Sequence, residues 1–84
     1  MSNQEFDLLD NLYFISSFEQ LNTELGWQES VLKESLLELI RKDWVKCFKE
    51  ASDELVEGTA DFEYQYKNYN YLATKEGLFA HNSK

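Results

Sequence analysis

The chain has 84 residues, of which 43% are hydrophobic and 15% aromatic, with three glycines and no proline. This length predicts one domain, residues 1–84, with a small core, and the composition excludes collagen-like, low-complexity and disordered chains. Sixteen acidic residues against eight basic ones give a formal net charge of −8. Such a charge repels phosphate backbones and anionic lipid and favours basic partners.

Targeting and redox features predict a soluble, cytoplasmic protein without membrane contact. The acidic N-terminus lacks the basic start and apolar centre of a signal peptide. No apolar run is long enough to span a bilayer. The single cysteine, Cys47, cannot form an internal disulfide, which fits a reducing compartment.

Helical periodicity dominates the start of the chain. Apolar residues at helical spacing predict a first helix over about residues 5–15. Ser17 and Gln20 then have the spacing of a capping box, and Gly26 offers a left-handed stop. A second helix is therefore expected over residues 17–25.

The pattern changes from helix to strand after the third helix, which is expected over residues 28–42. Its leucines form a core stripe, and its basic last turn complements the helix dipole. Aromatic and β-branched residues then predict a strand over residues 44–49. Residues 50–61 have the composition of an acidic loop.

A second strand is expected over residues 62–73, where apolar and polar residues alternate. The alternation changes parity near Lys67 and Asn68, which indicates a bulge or bend there. Thr74 can cap a short helical turn, and residues 78–84 are expected to form a frayed tail. The predicted fold is α+β, with three helices followed by a two-stranded antiparallel β-hairpin.

Three segments in this order resemble the winged helix-turn-helix superfamily, in particular MarR-like domains. Residues 17–27, SFEQLNTELGW, are similar to its second helix and turn. Residues 30–45, SVLKESLLELIRKDWV, are similar to its recognition helix and first wing strand. Residues 71–77, YLATKEG, resemble the Y-x-L-T-x-x-G exit from its second wing strand. The resemblance covers nearly the whole chain and implies a winged-helix-like domain.

Two departures from the family pattern concern the wing. Asp43 stands where many relatives have glycine before the first wing strand. In DNA-binding members the tip of the wing commonly carries arginine or lysine, whereas residues 50–63 here hold six carboxylates and no cation. The wing therefore departs from the DNA-binding pattern.

The resemblance implies a contact surface at the start and on the outer face of the third helix, comprising Gln28, Glu29, Ser30, Lys33, Glu34 and Leu37. Gln28 and Ser30 could read base edges, and Lys33 could meet a phosphate or a guanine. The glutamates oppose this role, because duplex binding draws much of its affinity from cations that replace counterions.

The sequence therefore favours a non-enzymatic module that acts in regulation through protein–protein contacts, with a basic protein as partner. Four neighbouring tyrosines would add contact area, unless they cover the core of the domain itself: Tyr64, Tyr66, Tyr69 and Tyr71. Because the parity changes between the two pairs, one pair is expected to be exposed. The alternatives are a transcriptional regulator that binds double-stranded DNA and an acidic mimic of nucleic acid.

The residues needed for catalysis or for binding a metal ion do not occur together. His81 is the only histidine and lies in the expected tail, while Cys47 is expected to pack as a small apolar residue. No glycine-rich phosphate cradle or nucleophile motif is present. We expect no catalytic residue, no cofactor and no metal, and a monomer or a small homodimer.

Overall fold

Helices and strands are mixed along the chain in the computed structural model, which describes residues 1–83. The helices in this range are α1 (Asn3–Asp10), α2 (Phe18–Leu25), α3 (Glu29–Arg41), α4 (Phe62–Gln65) and α5 (Lys75–Asn82). The strands are β1 (Ser16–Ser17), β2 (Val45–Lys49) and β3 (Tyr69–Ala73), and a 3-10 turn (Tyr66–Asn68) joins α4 to β3. The strands form one antiparallel sheet in the order β1-β3-β2. The α+β class is confirmed, but the sheet does not match three helices followed by a two-stranded hairpin.

The first helix begins earlier and ends earlier than predicted. Ser2 and Glu5 form a capping box, in which the amide of Glu5 donates to Ser2 Oγ at 3.1 Å and the amide of Ser2 donates to Glu5 Oε1 at 3.0 Å. At the other end, the side-chain amide of Asn11 donates to a carbonyl of the last turn at 2.9 Å. The helix predicted over residues 5–15 therefore ends at Asp10, before the chain turns toward the sheet.

The short strand β1, which the sequence did not predict, lies between α1 and α2. Ser16 lies opposite Tyr71 and Ser17 lies opposite Asn70. Two serines carry no strand propensity, so this pairing comes from the backbone alone. Ser17 also caps α2, because its hydroxyl accepts a hydrogen bond from the amide of Gln20 at 3.1 Å, which is one half of the predicted capping box.

The second and third helices follow the prediction within one or two residues at each end. Gly26 ends α2 in the left-handed region, with φ 67°, and the turn leads directly to α3. Both helices bury their apolar faces in the core, which comprises Leu8, Leu9, Leu12, Phe18, Leu21, Leu32, Leu36, Leu39, Val45, Cys47, Phe62, Tyr69, Tyr71 and Ala73. No helix in residues 1–83 has the length and apolar character that crossing a bilayer requires.

Strands β2 and β3 form the predicted antiparallel pair, with Val45 opposite Ala73 and Lys49 opposite Tyr69. The outer edge of β2 is partly covered by the acidic loop, because the amide of Val56 donates to the carbonyl of Cys47 at 2.9 Å. The loop therefore folds back on the sheet.

Residues 62–68 are helical, so the prediction of a strand over residues 62–73 is wrong for its first half. Phe62 and Tyr66 are four residues apart, which places both side chains on one helical face, with ring centroids 5.8 Å apart. The change of parity near residue 67 is therefore a junction between helix and strand and not a bulge.

The C-terminal segment is a helix, so the prediction of a frayed tail over residues 78–84 is wrong up to Asn82, while Lys84 lies outside the described residues. Thr74 caps α5, as predicted, by accepting from the amide of Gly77 at 3.0 Å. His81 is buried and its ring stacks on Phe6 at a centroid distance of 4.3 Å. This contact fixes α5 against α1.

The junction between β3 and α5 depends on a close approach between backbones. The hydroxyl of Thr74 donates to the carbonyl of Asp43 at 2.7 Å, and its amide donates to the carbonyl of Trp44 at 2.9 Å. A Cβ on Gly77 would collide with the same carbonyl oxygen of Trp44. Asp43 itself adopts a left-handed conformation, with φ 61°, which glycine adopts without strain.

We predict that Gly77→Ala destabilises the fold by about 1–3 kcal/mol, because overpacking at the Trp44 carbonyl outweighs the gain in helix propensity. Thermal or denaturant unfolding monitored by circular dichroism measures this loss. Glu76→Ala, at an exposed neighbour in the same helix, is the control and should stay within about 0.5 kcal/mol of the parent. Equal stability of Gly77→Ala and the parent would contradict the close approach.

Candidate interaction surface

The outer face of α3 is the surface that the sequence assigned to a partner. The structure leaves four of the six assigned positions exposed, namely Gln28, Glu29, Ser30 and Glu34. Lys33 and Leu37 are half-buried. The one lysine of α3 is thus less accessible than the glutamates around it.

Lys33 is covered by the segment that follows the acidic loop. Its Nζ lies 2.6 Å from Glu63 Oε1 and 5.4 Å from the centre of the Tyr66 ring. Its side chain is only 17% exposed. The hydrogen bond to Glu63 raises the pKa of Lys33, so the lysine stays charged but its charge is neutralised within the chain.

Glu29 is held by the same segment. The hydroxyl of Tyr66 donates to Glu29 Oε2 at 2.7 Å, and Lys67 Nζ lies 3.0 Å from Glu29 Oε1. These hydrogen bonds, first that from Tyr66, lower the pKa of Glu29 and raise the pKa values of Tyr66 and Lys67. We call the five residues of both contacts the α3 polar network: Glu29, Lys33, Glu63, Tyr66 and Lys67.

Tyr66 connects this network to the core. Its ring packs edge-on against Phe18 at a centroid distance of 4.9 Å. Its carbonyl accepts a hydrogen bond of 2.6 Å from the hydroxyl of Tyr71, which is fully buried. The segment over α3 is therefore held by the core as well as by ion pairs.

The four tyrosines do not form one surface. Tyr69 and Tyr71 are buried in β3, so their assignment as contact residues is wrong, because both side chains point to the core face of the sheet. Tyr66 is half-buried in the α3 polar network, and only Tyr64, on α4, is freely exposed, at 82%. Helical backbone at residues 62–65 turns Tyr64 away from Phe62, whereas a strand would have placed both on one face.

Further cations beside this surface are also paired with carboxylates. Arg41 lies 3.3 Å from Glu38, and Lys42 lies 2.5 Å from Glu5. Within residues 1–83, three lysines have no ion-pair partner, and they lie on β2 and at the start of α5: Lys46, Lys49 and Lys75. The exposed face of α3 thus presents carboxylates without a free cation.

Sequence reasoning missed Glu63 and Lys67 as partners of α3. Their spacing of four residues is typical of an ion-pairing position on a helix, as is the spacing of Phe62 and Tyr66. Both signals were hidden because the same residues also fit the alternation of a strand. The network depends on this helical conformation.

The buried thiol is not ionised, and the acidic groups form no metal-ligand cluster in the described part of the chain. Burial raises the pKa of Cys47 to about 11, so the group is a neutral thiol packed in β2. Across residues 1–83, no three histidine, cysteine, aspartate or glutamate side chains converge as metal ligands. The surface can bind by charge and by aromatic contact.

We predict that Glu29 titrates below the ordinary glutamate range and that Tyr66→Phe raises its pKa, because the variant removes the hydroxyl that stabilises the carboxylate. Side-chain carboxyl shifts measured by NMR across acidic pH test this. Tyr64→Phe removes an exposed hydroxyl from the neighbouring helix and should leave the titration of Glu29 unchanged. A titration of Glu29 that is the same in Tyr66→Phe and the parent would show that the hydrogen bond does not form.

Comparisons with protein-family models, with curated proteins and with solved structures found no match.

Proposed function

We propose that this chain is a non-enzymatic, winged-helix-like module that acts in regulation through protein contacts, with the α3 face binding a basic protein. The observation that carries the proposal is the α3 polar network. It pairs Lys33 within the chain and leaves the surrounding glutamates exposed.

The order of elements supports the winged-helix-like part of the proposal. α2, a left-handed turn at Gly26 and α3 are followed by the antiparallel strands β2 and β3. Asp43 adopts a left-handed conformation at the position where many winged helix-turn-helix domains, which the sequence resembles, carry glycine. The pairing of β1 with β3 adds a strand to the hairpin that the resemblance implies.

The negative charge of the α3 face argues against double-stranded DNA as its ligand. A repressor commonly makes roughly 6–10 phosphate contacts, and their cations replace condensed counterions. In this chain Lys33, Arg41 and Lys67, which belong to α3 or the segment over it, each lie within 3.3 Å of a carboxylate. A phosphate backbone would have to break these pairs while it approaches the exposed Glu34.

The same features fit a basic protein surface. Tyr64 supplies an exposed aromatic side chain on α4, and aromatic residues are common anchors at protein interfaces. Glu34 and Glu38 supply exposed carboxylates on α3. Complementary charge would steer a basic partner to this face and speed its association.

Photo-cross-linking in the native cells tests the proposal. We expect a photoreactive phenylalanine analogue in place of Tyr64 to capture one discrete protein, and Glu34→Lys in the same chain to abolish the capture by charge repulsion. Glu54→Lys, in the acidic loop, makes the same charge change away from α3 and should leave the capture intact.

Titration of labelled duplex DNA at about 50 mM salt, where electrostatic binding is strong, distinguishes protein binding from the alternative function, DNA binding. We expect no binding by the parent chain at tens of micromolar protein. Sequence-selective binding that weakens steeply with salt would contradict the proposal and identify a DNA-binding regulator.

A further inference from the structure

We propose a second interaction surface, which shares no residue with the α3 face and binds a basic, apolar segment of another protein. It is an open groove between the segment that links α1 to β1 and the outer side of α2. We call it the Phe14 groove and define it by Asp10, Tyr13, Phe14, Ile15, Gln20 and Glu24, which are among its lining residues.

Three consecutive apolar or aromatic side chains are exposed at this groove. Phe14 is 83% exposed, Ile15 is 51% exposed and Tyr13 is 40% exposed. Single exposed apolar residues are ordinary, but adjacent ones form a patch whose burial by a partner is favourable. The groove beside them has a volume of about 540 Å³, which is ample for several side chains.

The segment that carries Phe14 is held at both ends. On one side, the amide of Ala73 donates to the carbonyl of Leu12 at 3.0 Å. On the other side, Ser16 pairs with Tyr71 in the sheet. A segment fixed in this way loses little conformational entropy when a partner binds.

Tyr13 adds a third attachment, to α5. Its hydroxyl donates to Asn82 Oδ1 at 2.9 Å and lies 2.9 Å from Nδ1 of His81. This attachment holds Tyr13 toward α5 while its neighbour Phe14 extends into solvent.

The rim of the groove is acidic, and this selects the occupant. Beside the groove, the exposed carboxylate of Glu19 continues this acidic surface along α2. Asp10 and Glu24 stand exposed at the groove. A second copy of the chain would bring the same carboxylates into contact, and nucleic acid or anionic lipid would be repelled. The lysines or arginines of a basic segment would pair with these carboxylates, and its apolar side chains would cover the exposed rings.

The test uses the full chain labelled with ¹⁵N and an amphipathic helical peptide built only of leucine and lysine. We expect amide shifts to change most at Phe14, Ile15, Gln20 and Glu24, and Phe14→Ser to weaken binding about tenfold or more. Glu24→Gln should weaken binding more at low salt than at high salt. Phe79→Ser, at another exposed phenylalanine, should bind like the parent.

Three outcomes would overturn the proposal. One is that shift changes centre on other residues, including the α3 face, and a second is that Phe14→Ser binds the peptide as tightly as the parent. The third is that the shifts of the groove move with protein concentration in the absence of peptide, because a second copy would then be the occupant. Since Phe14 packs against little of the chain, the variant should keep the parent's thermal unfolding midpoint, and Glu24→Gln gives an independent reading.

Discussion

The hydroxyl of Tyr71 imposes the constraint on which the candidate surface depends. Tyr71 is fully buried, and leaving its hydroxyl without a partner would cost about 1–3 kcal/mol. The carbonyl of Tyr66 accepts its hydrogen bond, and Tyr66 begins the 3-10 turn that leads into β3. That turn places the ring of Tyr66 on Phe18 and its hydroxyl on Glu29. Glu63, Tyr66 and Lys67 thus lie over part of α3, and we call these three residues the cover of α3.

The cover changes what α3 can bind. A helix that follows a tight turn and precedes a hairpin is suited to enter a DNA groove, but here Lys33 faces Glu63 within the chain. Exposed carboxylates such as Glu34 then make the charge of this surface negative. The Phe14 groove is also negatively charged. We therefore propose basic partners for both surfaces. The first would bind through carboxylates with one aromatic residue and the second through an apolar centre with an acidic rim.

Local signals predicted what local interactions determine, including α2, α3 and the caps at Ser17 and Thr74. β1 could not be predicted, because Ser16 pairs through its backbone with residues far along the chain. α4 was missed because Phe62 and Tyr66 satisfy both a period of two and a spacing of four. Of the candidate site, the acidic character of α3 followed from the sequence. The pairing of Lys33 did not, because Glu63 lies thirty positions away.

Lysine acylation tests the cover of α3 most directly. A soluble reagent is added at neutral pH, and mass spectrometry measures the rate at which each lysine is modified. We expect Lys33 to react about tenfold more slowly than Lys46 and Lys49, because it is largely buried and its ammonium is held by Glu63. Tyr66→Ala should bring its rate close to theirs by opening the cover. Equal rates for the three lysines in the parent chain would contradict the account, since Lys33 would then be free on the α3 face.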